Sequence, residues 1–358
     1  MNRQRLDEIL QRIPLLRVLV VGDFFLDKYL DIDRALAEIS LETNLEAHQV
    51  TGVRVSPGAA GTVVNNLVAL GARVAALGVI GDTGEGYEFL RALDASSVDH
   101  SPILRRRDWL MPTYIKPMLH ERDGRVRELE RLDIKNRAPL SDDVIQELLA
   151  RLDAAVAHAD VVIISEYIPP SEGGIITDAV RARIVALAAA NPAKFFIVDS
   201  RPATARYRHV IVKCNLREAT HALGRAYDPH LAFGAIEALA REFERRTAAR
   251  LFLTLGERGM LVCARQECTH VPTVVEPGAV DIVGAGDSAL AGIACALGVG
   301  ASNTEAALLG NLAAAVTVKK IGTTGTASPT EVAEKFQVWE RMEREGAREG
   351  TGDIETLR

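Results

Sequence analysis

The segment Asp281–Gly298, DIVGAGDSALAGIACALG, combines small residues, a carboxylate and a helical period in one short stretch of this 358-residue chain. Gly284, Ala285 and Gly286 stand directly before a helical run through Ala289, Leu290, Ile293 and Ala294. A helix that starts there points unpaired backbone N–H groups at an anion, and the small side chains let a phosphate come close. Asp287 stands in the first turn, where a lone Asp would read as a cap. Beside an anion-binding turn it has a second use. It can take the proton of a hydroxyl that attacks a bound phosphoryl group, and such a base must stand next to that phosphate.

The elements that must position this segment read as α/β. Strand-length apolar runs alternate with longer helical segments, the mark of βαβ units and a parallel sheet. Expected central strands are residues 17–23, 73–80, 160–165, 194–199, 209–214 and 250–255. Ligands bind at the carboxyl ends of strands in open α/β sheets, so Asp23, Asp199, Asn215 and Gly256 are expected on one rim. Residues 30–57 lack helical period, and 110–133 read as alternating strands about a turn at Asp123-Gly124. Both are expected to form a small sheet over the main one. No Pro/Gly/Ser-rich linker separates them, so 1–335 read as one domain with an inserted lid, and 336–358 as a charged C-terminal helix and tail.

Asp281-Ile-Val-Gly-Ala-Gly-Asp287 resembles the DxxGAGD signature of the ribokinase/PfkB carbohydrate kinases. Other strings agree in order: VVGDFFLD (20–27), SPGAAGTVVNNLVALGA (56–72), LGVIGDTGEGYEFLRAL (77–93), Asn215-Leu-Arg-Glu218 as NxxE, and Leu253–Gly259 as T-x-G-x-x-G. The resemblance runs from Arg17 to Pro329. Within the family, VVGDFFLDKY, Arg131–Asp133, Ser165–Tyr167 and KKIGTTGTASP (319–329) resemble the D-glycero-β-D-manno-heptose-7-phosphate kinases.

The resemblance implies a ribokinase-like three-layer α/β/α sandwich with a mainly parallel sheet and a β-sheet lid. It implies transfer of the γ-phosphoryl group of ATP to a hydroxyl of a sugar or sugar phosphate, with Asp287 as base and Gly284, Ala285 and Gly286 as the anion hole. Asp23, Asp27, Gly58, Thr62 and Asn66 would meet the sugar. Lys116, Arg131 and Arg201 would meet an acceptor phosphate, each otherwise a surface charge. Asn215, Thr254, Gly256, Gly259, Asn311 and Gly322 would shape the nucleotide side. Mg²⁺ takes few protein carboxylates and keeps waters, which makes Glu218 its candidate ligand. A homodimer through the lid is expected, since exposed strands invite edge pairing.

Two departures fall on the acceptor side. The family's G-G-x-x-N reads Gly58-Ala59-Ala60-Gly61-Thr62 here, and a hydroxyl cannot match an amide's paired donor and acceptor. Where the heptose kinases have D-Y-x-K-G after the serine, this chain has Glu166-Tyr167-Ile168-Pro169-Pro170. The alternatives are a PfkB kinase for another sugar or a nucleoside, and a sugar-phosphate sensor that keeps the fold without turnover. A dinucleotide-binding dehydrogenase is disfavoured because no G-x-G-x-x-G follows the first strand.

Composition agrees with a globular enzyme: 48% hydrophobic, 25% charged, net charge -6. No basic field points to nucleic acid, and the basic run 104–107 is followed by acids. No apolar run spans a membrane, and the charged amphipathic N-terminus is no secretory signal. Cys214, Cys263, Cys268 and Cys295 show no CxxC pairing, and all but Cys268 read as buried thiols. A reducing cytoplasm is the expected setting.

Overall fold

Strands apolar on both faces need cover on both sides, and the chain provides it with helices above and below one sheet. The computed structural model of the protein describes residues 1–322 and 324–352. The central sheet has eight strands in the spatial order Glu267–Val271, Met260–Ala264, Leu251–Thr254, Ile211–Asn215, Phe195–Ser200, Val161–Glu166, Arg17–Gly22 and Arg73–Leu77. The last six are parallel, and the first two add as an antiparallel hairpin.

Alternation along each strand divides the core in two. Val18 and Val20 join a cluster with the helices Ala60–Ala69, Ala285–Gly298 and Asn303–Thr317. Leu19 and Val21 face the helices Asp142–His158, Asp178–Ala190 and Phe233–Thr247. Each fully buried Val or Leu contributes roughly 1.5–3 kcal/mol, so the register of every strand is strongly held. The N-terminal helix Arg3–Arg12 and the C-terminal helix Pro329–Gly352 close the first face by burying Leu6, Ile9, Val332 and Phe336. Residues 353–358 of the expected tail lie outside the described residues.

The lid is a second, five-stranded sheet. Phe24–Asp33 pairs antiparallel with Val50–Ala59 and parallel with Thr113–His120, which also carries Val126–Glu128 and Leu132–Ile134. It begins earlier than the expected residue 30: Asp23 alone separates the first central strand from the first lid strand. Asp27 is thereby delivered to the mouth between the two sheets.

Three expectations need correction. The strand expected over 73–80 breaks at Gly78 into Arg73–Leu77 and Val79–Gly81, and the second piece pairs with Leu104–Arg106. A Cβ on Gly78 would stand 2.6 Å from the Phe24 ring, so close packing fixes the break there. The hairpin strands Met260–Ala264 and Glu267–Val271 were absent from the expected set. Across them Cys263 and Cys268 form a disulfide, so Cys263 is not a thiol, whereas Cys214 and Cys295 are buried thiols as expected. Arg265 and Gln266 both take positive φ (54° and 65°), the two-residue turn that sets the cysteines directly opposite each other. Spacing alone does not reveal that register.

Candidate active site

The glycine turn forms as the sequence predicts. Gly284 adopts φ +81°, a left-handed conformation that favours glycine, and the helix Ala285–Gly298 starts immediately after it. Asp287 sits in the first turn of that helix with one carboxylate oxygen, Oδ1, accepting a hydrogen bond from the Tyr167 hydroxyl. Burial pushes its carboxyl up to about 6. The Tyr167 bond pulls the other way, nearby Asp199 adds to the rise, and Lys213 and Arg201 oppose it. A carboxyl poised near neutrality is what a general base needs.

Lys213 stands beside the same turn. It lies on Ile211–Asn215, is 4% exposed, and donates to Asp199 Oδ2 at 2.6 Å. A Cβ added to Gly286 would come within 2.9 Å of its Nζ, so Gly286 is the residue that lets the ammonium sit against the glycine turn. Sequence reasoning missed Lys213 and the role of Tyr167. The signal was a lone lysine in an otherwise apolar central strand, IVKCN, a position that lysine takes only when paired.

A cavity of about 710 Å³ opens between lid and body, within the range that holds a small ligand. Of the residues expected on the acceptor side, Asp27, Thr62, Lys116, Arg131 and Arg201 line it together with Gly284 and Asp287. Lys116 pairs with Asp27 at 2.9 Å. Arg131 forks onto Asp133 at 2.7 and 3.0 Å and lies over the Tyr114 ring at 4.2 Å. Lys135 and Arg137 add to the cationic wall. Among the described residues neither Arg137 nor Arg201 has an ion-pair partner.

Asp23 and Asn66 do not line the cavity. Asp23 is buried, and its oxygens accept the backbone N–H groups of Tyr167, Ile168 and Ile175 at 2.8, 2.9 and 2.9 Å. Burial drives its carboxyl up to about 6 against those three bonds. It clamps a loop under the site, which its place in the sequence could not distinguish from a ligand role. Asn66 is buried in its helix and donates to the Thr62 carbonyl at 2.9 Å. Gly58 acts indirectly: a Cβ there would come within 2.5 Å of Asp27 Oδ2. Glu166, read from the sequence as an acceptor-side departure, points into the core and accepts from Arg181 Nη2, Ser200 Oγ and Tyr207 Oη at 2.6, 2.7 and 2.8 Å.

Of the residues expected on the nucleotide side, Asn215 and Thr254 end strands, Gly256 and Gly259 stand in the turn after Thr254, Asn311 lies in the helix Asn303–Thr317, and Gly322 follows that helix. Asn215 caps the helix Leu216–Ala222 in a capping box with Glu218, whose Oε2 accepts the Asn215 N–H at 2.8 Å. Burial raises the Glu218 carboxyl, Asp199 adds to this, and Lys213 counters it. Thr254 Oγ1 donates to the Cys214 carbonyl at 3.3 Å. Gly256 and Gly259 both have positive φ, and a Cβ on Gly259 would meet the Val271 carbonyl at 2.3 Å. Asn311 is 5% exposed and donates to the carbonyls of Val271 and Pro272, so it tethers this segment. The Gly322 N–H donates to Asp281 Oδ2 at 3.2 Å, and Asp281 Oδ1 accepts from Val283. The first aspartate of the motif thus ties the glycine turn to the 318–322 turn.

Among the described residues no cluster of three or more His, Cys, Asp or Glu forms a metal site. No helix among them is long and apolar enough to cross a membrane.

The sequence profile described as pfkB family carbohydrate kinase matches residues 17–331. The bifunctional protein HldE of Trichlorobacter lovleyi is 32% identical over 345 residues, covering 93% of this chain and 65% of that protein. Its counterpart in a Caulobacter species is 34% identical over 331 residues, covering 89% and 63%. The chain therefore spans about 65% of the length of these curated relatives. Phosphofructokinase-2 from Escherichia coli, solved with potassium, superposes with a TM-score of 0.69 at 20% identity, covering 90% of this chain and 99% of that one. Arabidopsis thaliana ribokinase, solved with ribose and ATP, superposes with a TM-score of 0.63 at 16% identity, covering 89% and 98%. At those identities the likeness speaks for the fold, which is ribokinase-like. The buried Asp287 carboxyl behind its glycine turn is compatible with what the profile match over most of the chain shows: this chain belongs to the pfkB family of carbohydrate kinases, phosphotransferases with an alcohol group as acceptor.

Proposed function

We propose that the chain moves the γ-phosphoryl group of ATP to a hydroxyl of a sugar that already carries a phosphate, with a heptose 7-phosphate as the leading candidate. The observation that carries this is the cavity itself: Asp287 and Gly284 line it with five cations, Lys116, Arg131, Lys135, Arg137 and Arg201, which outnumber the lining carboxylates Asp27, Glu172 and Asp287, and Arg137 and Arg201 have no ion-pair partner among the described residues. A neutral sugar needs no such wall, whereas a phosphate is held by cations. The acceptor hydroxyl gives its proton to Asp287, its oxygen bonds to the γ-phosphorus, and the bond to the bridging oxygen breaks to release ADP. The N–H groups of the glycine turn and the ammonium of Lys213 face the charge that develops on the transferring group.

Glu218 is the residue that would hold Mg²⁺. Its buried carboxyl beside Asp199 is an environment that a nearby cation relieves, and an ion shared with nucleotide phosphates needs only one or two carboxylates. When bound, Mg²⁺ neutralises phosphate charge. The protein's own contribution is to hold Glu218 by the Asn215 N–H.

Exposed Leu36, Ile39, Leu41 and Leu45 on the connection between the lid strands Phe24–Asp33 and Val50–Ala59, with Val50 and Val53 on the edge strand, support a homodimer through the lid, checked by light scattering. Dependence on ATP supports a cytoplasmic setting, although the Cys263–Cys268 disulfide counts against a strongly reducing one. The deciding experiment incubates the protein with Mg-ATP and a panel of sugar phosphates, free sugars and nucleosides, reading ADP. Turnover confined to phosphorylated acceptors is expected. Saturable binding of a sugar phosphate without ADP release from any acceptor would replace catalysis by sensing.

A further inference from the structure

The Tyr167 hydroxyl donates to Asp287 Oδ1, and the phosphotransfer proposed above does not by itself require that bond. Three separate holds keep Tyr167 in place. Its backbone N–H is bound by Asp23 Oδ2 at 2.8 Å. Its neighbour Glu166 is 0% exposed and fixed by Arg181, Ser200 and Tyr207. Its ring carries the Arg201 guanidinium at 4.6 Å. Buried carboxylates are costly to desolvate, and breaking their partnerships is costlier still. Two of them act on this one short segment. Along an extended chain successive side chains point to opposite faces, so anchoring Glu166 in the core turns Tyr167 toward the cavity.

We propose that Tyr167 is a positioning residue for the base: its hydroxyl fixes Oδ1 of Asp287 and leaves Oδ2, which has no hydrogen-bond partner among the described residues, to face the acceptor hydroxyl. Asp23 and Glu166 act through Tyr167 and touch no substrate. The inference rests on Asp287 being the base. The bond also favours ionised Asp287 over neutral, against burial and the charge of Asp199; the ammonium of Lys213 and the guanidinium of Arg201 act in the same direction as Tyr167.

Tyr167→Phe tests this, since it removes one hydroxyl and keeps the ring under Arg201. Expected are a fall in kcat of about 10-fold or more, an acceptor KM within about threefold of wild type, and an acidic limb of the kcat profile moved up by about one pH unit. A residue that merely fills space would lower stability and leave the limb where it was. Carboxyl-carbon NMR of the protein with ¹³C-labelled aspartate, with Asp287→Asn to assign the signal, reads the Asp287 midpoint without turnover. An upward shift in Tyr167→Phe supports the inference. An unchanged midpoint, or an unchanged kcat in a protein that turns over, overturns it. Wild-type protein that phosphorylates no acceptor would instead sink the proposed function, and the NMR midpoint would still decide whether Tyr167 holds Asp287.

Discussion

Replacing Gly58 with alanine adds one methyl group behind Asp27, which lines the cavity proposed to hold the acceptor. The new Cβ would stand 2.5 Å from Asp27 Oδ2, 3.1 Å from its Cγ and 3.6 Å from the Phe25 Cβ. Ordinary van der Waals contact begins at 3.4 Å, so the carboxylate must retreat by about 0.9 Å. It is the tip of a short side chain, so it can swing away at a stability cost of about 1 kcal/mol. Its ion pair with Lys116, now 2.9 Å, is disturbed by the same movement. A misplacement of that size in a group that orients a reactant costs about 10²-fold in rate. We therefore expect acceptor kcat/KM to fall by about 10²-fold while ATP KM and the melting temperature stay near wild type. The assay is steady-state ADP release with acceptor and ATP varied in turn. Acceptor kcat/KM within about threefold of wild type would refute the placing of Asp27 against the sugar.

The remaining expectations concern the base, its support and the hairpin. Asp287→Asn should cut kcat by about 10²–10⁴ with ATP KM unchanged. With the wild-type carboxyl at about 6, activity is present above that pH and lost below it, so kcat should fall about 10-fold from pH 7 to pH 5, and the variant's profile should lack this limb. Asp23→Asn turns an amide donor toward at least one of three backbone N–H groups. It should destabilise the protein by about 2–4 kcal/mol in urea titration and lower kcat through Tyr167. Because burial lifts Asp23 from 3.8 to about 6, the folded chain keeps a proton in that window that the unfolded chain has released. Stability therefore declines as pH rises through the window, by up to about 3 kcal/mol from this group, and Asp23→Asn should flatten that slope. Reducing the Cys263–Cys268 disulfide, which closes a very short loop, should cost about 2 kcal/mol and lower the melting temperature by about 3 °C in calorimetry with dithiothreitol.

Much of this protein is local chemistry written in order along the chain. The glycine turn, the helix start that carries Asp287, the NxxE cap at Asn215 and the apolar strands are each decided within about ten residues, so the sequence determined the α/β architecture, the small extra sheet and the place of Asp287 beside the glycine turn. Lys116, Arg131 and Arg201, read as cations for an acceptor phosphate, do share one cavity with Asp27 and Thr62. The roles of Asp23, Asn66 and Glu166 were not legible in the sequence, because each side chain's partner lies on another element or in its own helix and the choice between ligand and support depends on which way it points. The Cys263–Cys268 bond and the break at Gly78 depend on register and on the approach of Phe24. Lys213 shows the division most clearly. Its sequence position marks only a charge in an apolar strand. Packing the strand Ile211–Asn215 beside the glycine turn, where Gly286 leaves no Cβ in the way, puts its ammonium against Asp199 and near Asp287. Tertiary structure alone makes that decision, because the energy of a buried charge is set by what lies within a few ångströms of it and not by its neighbours in the chain.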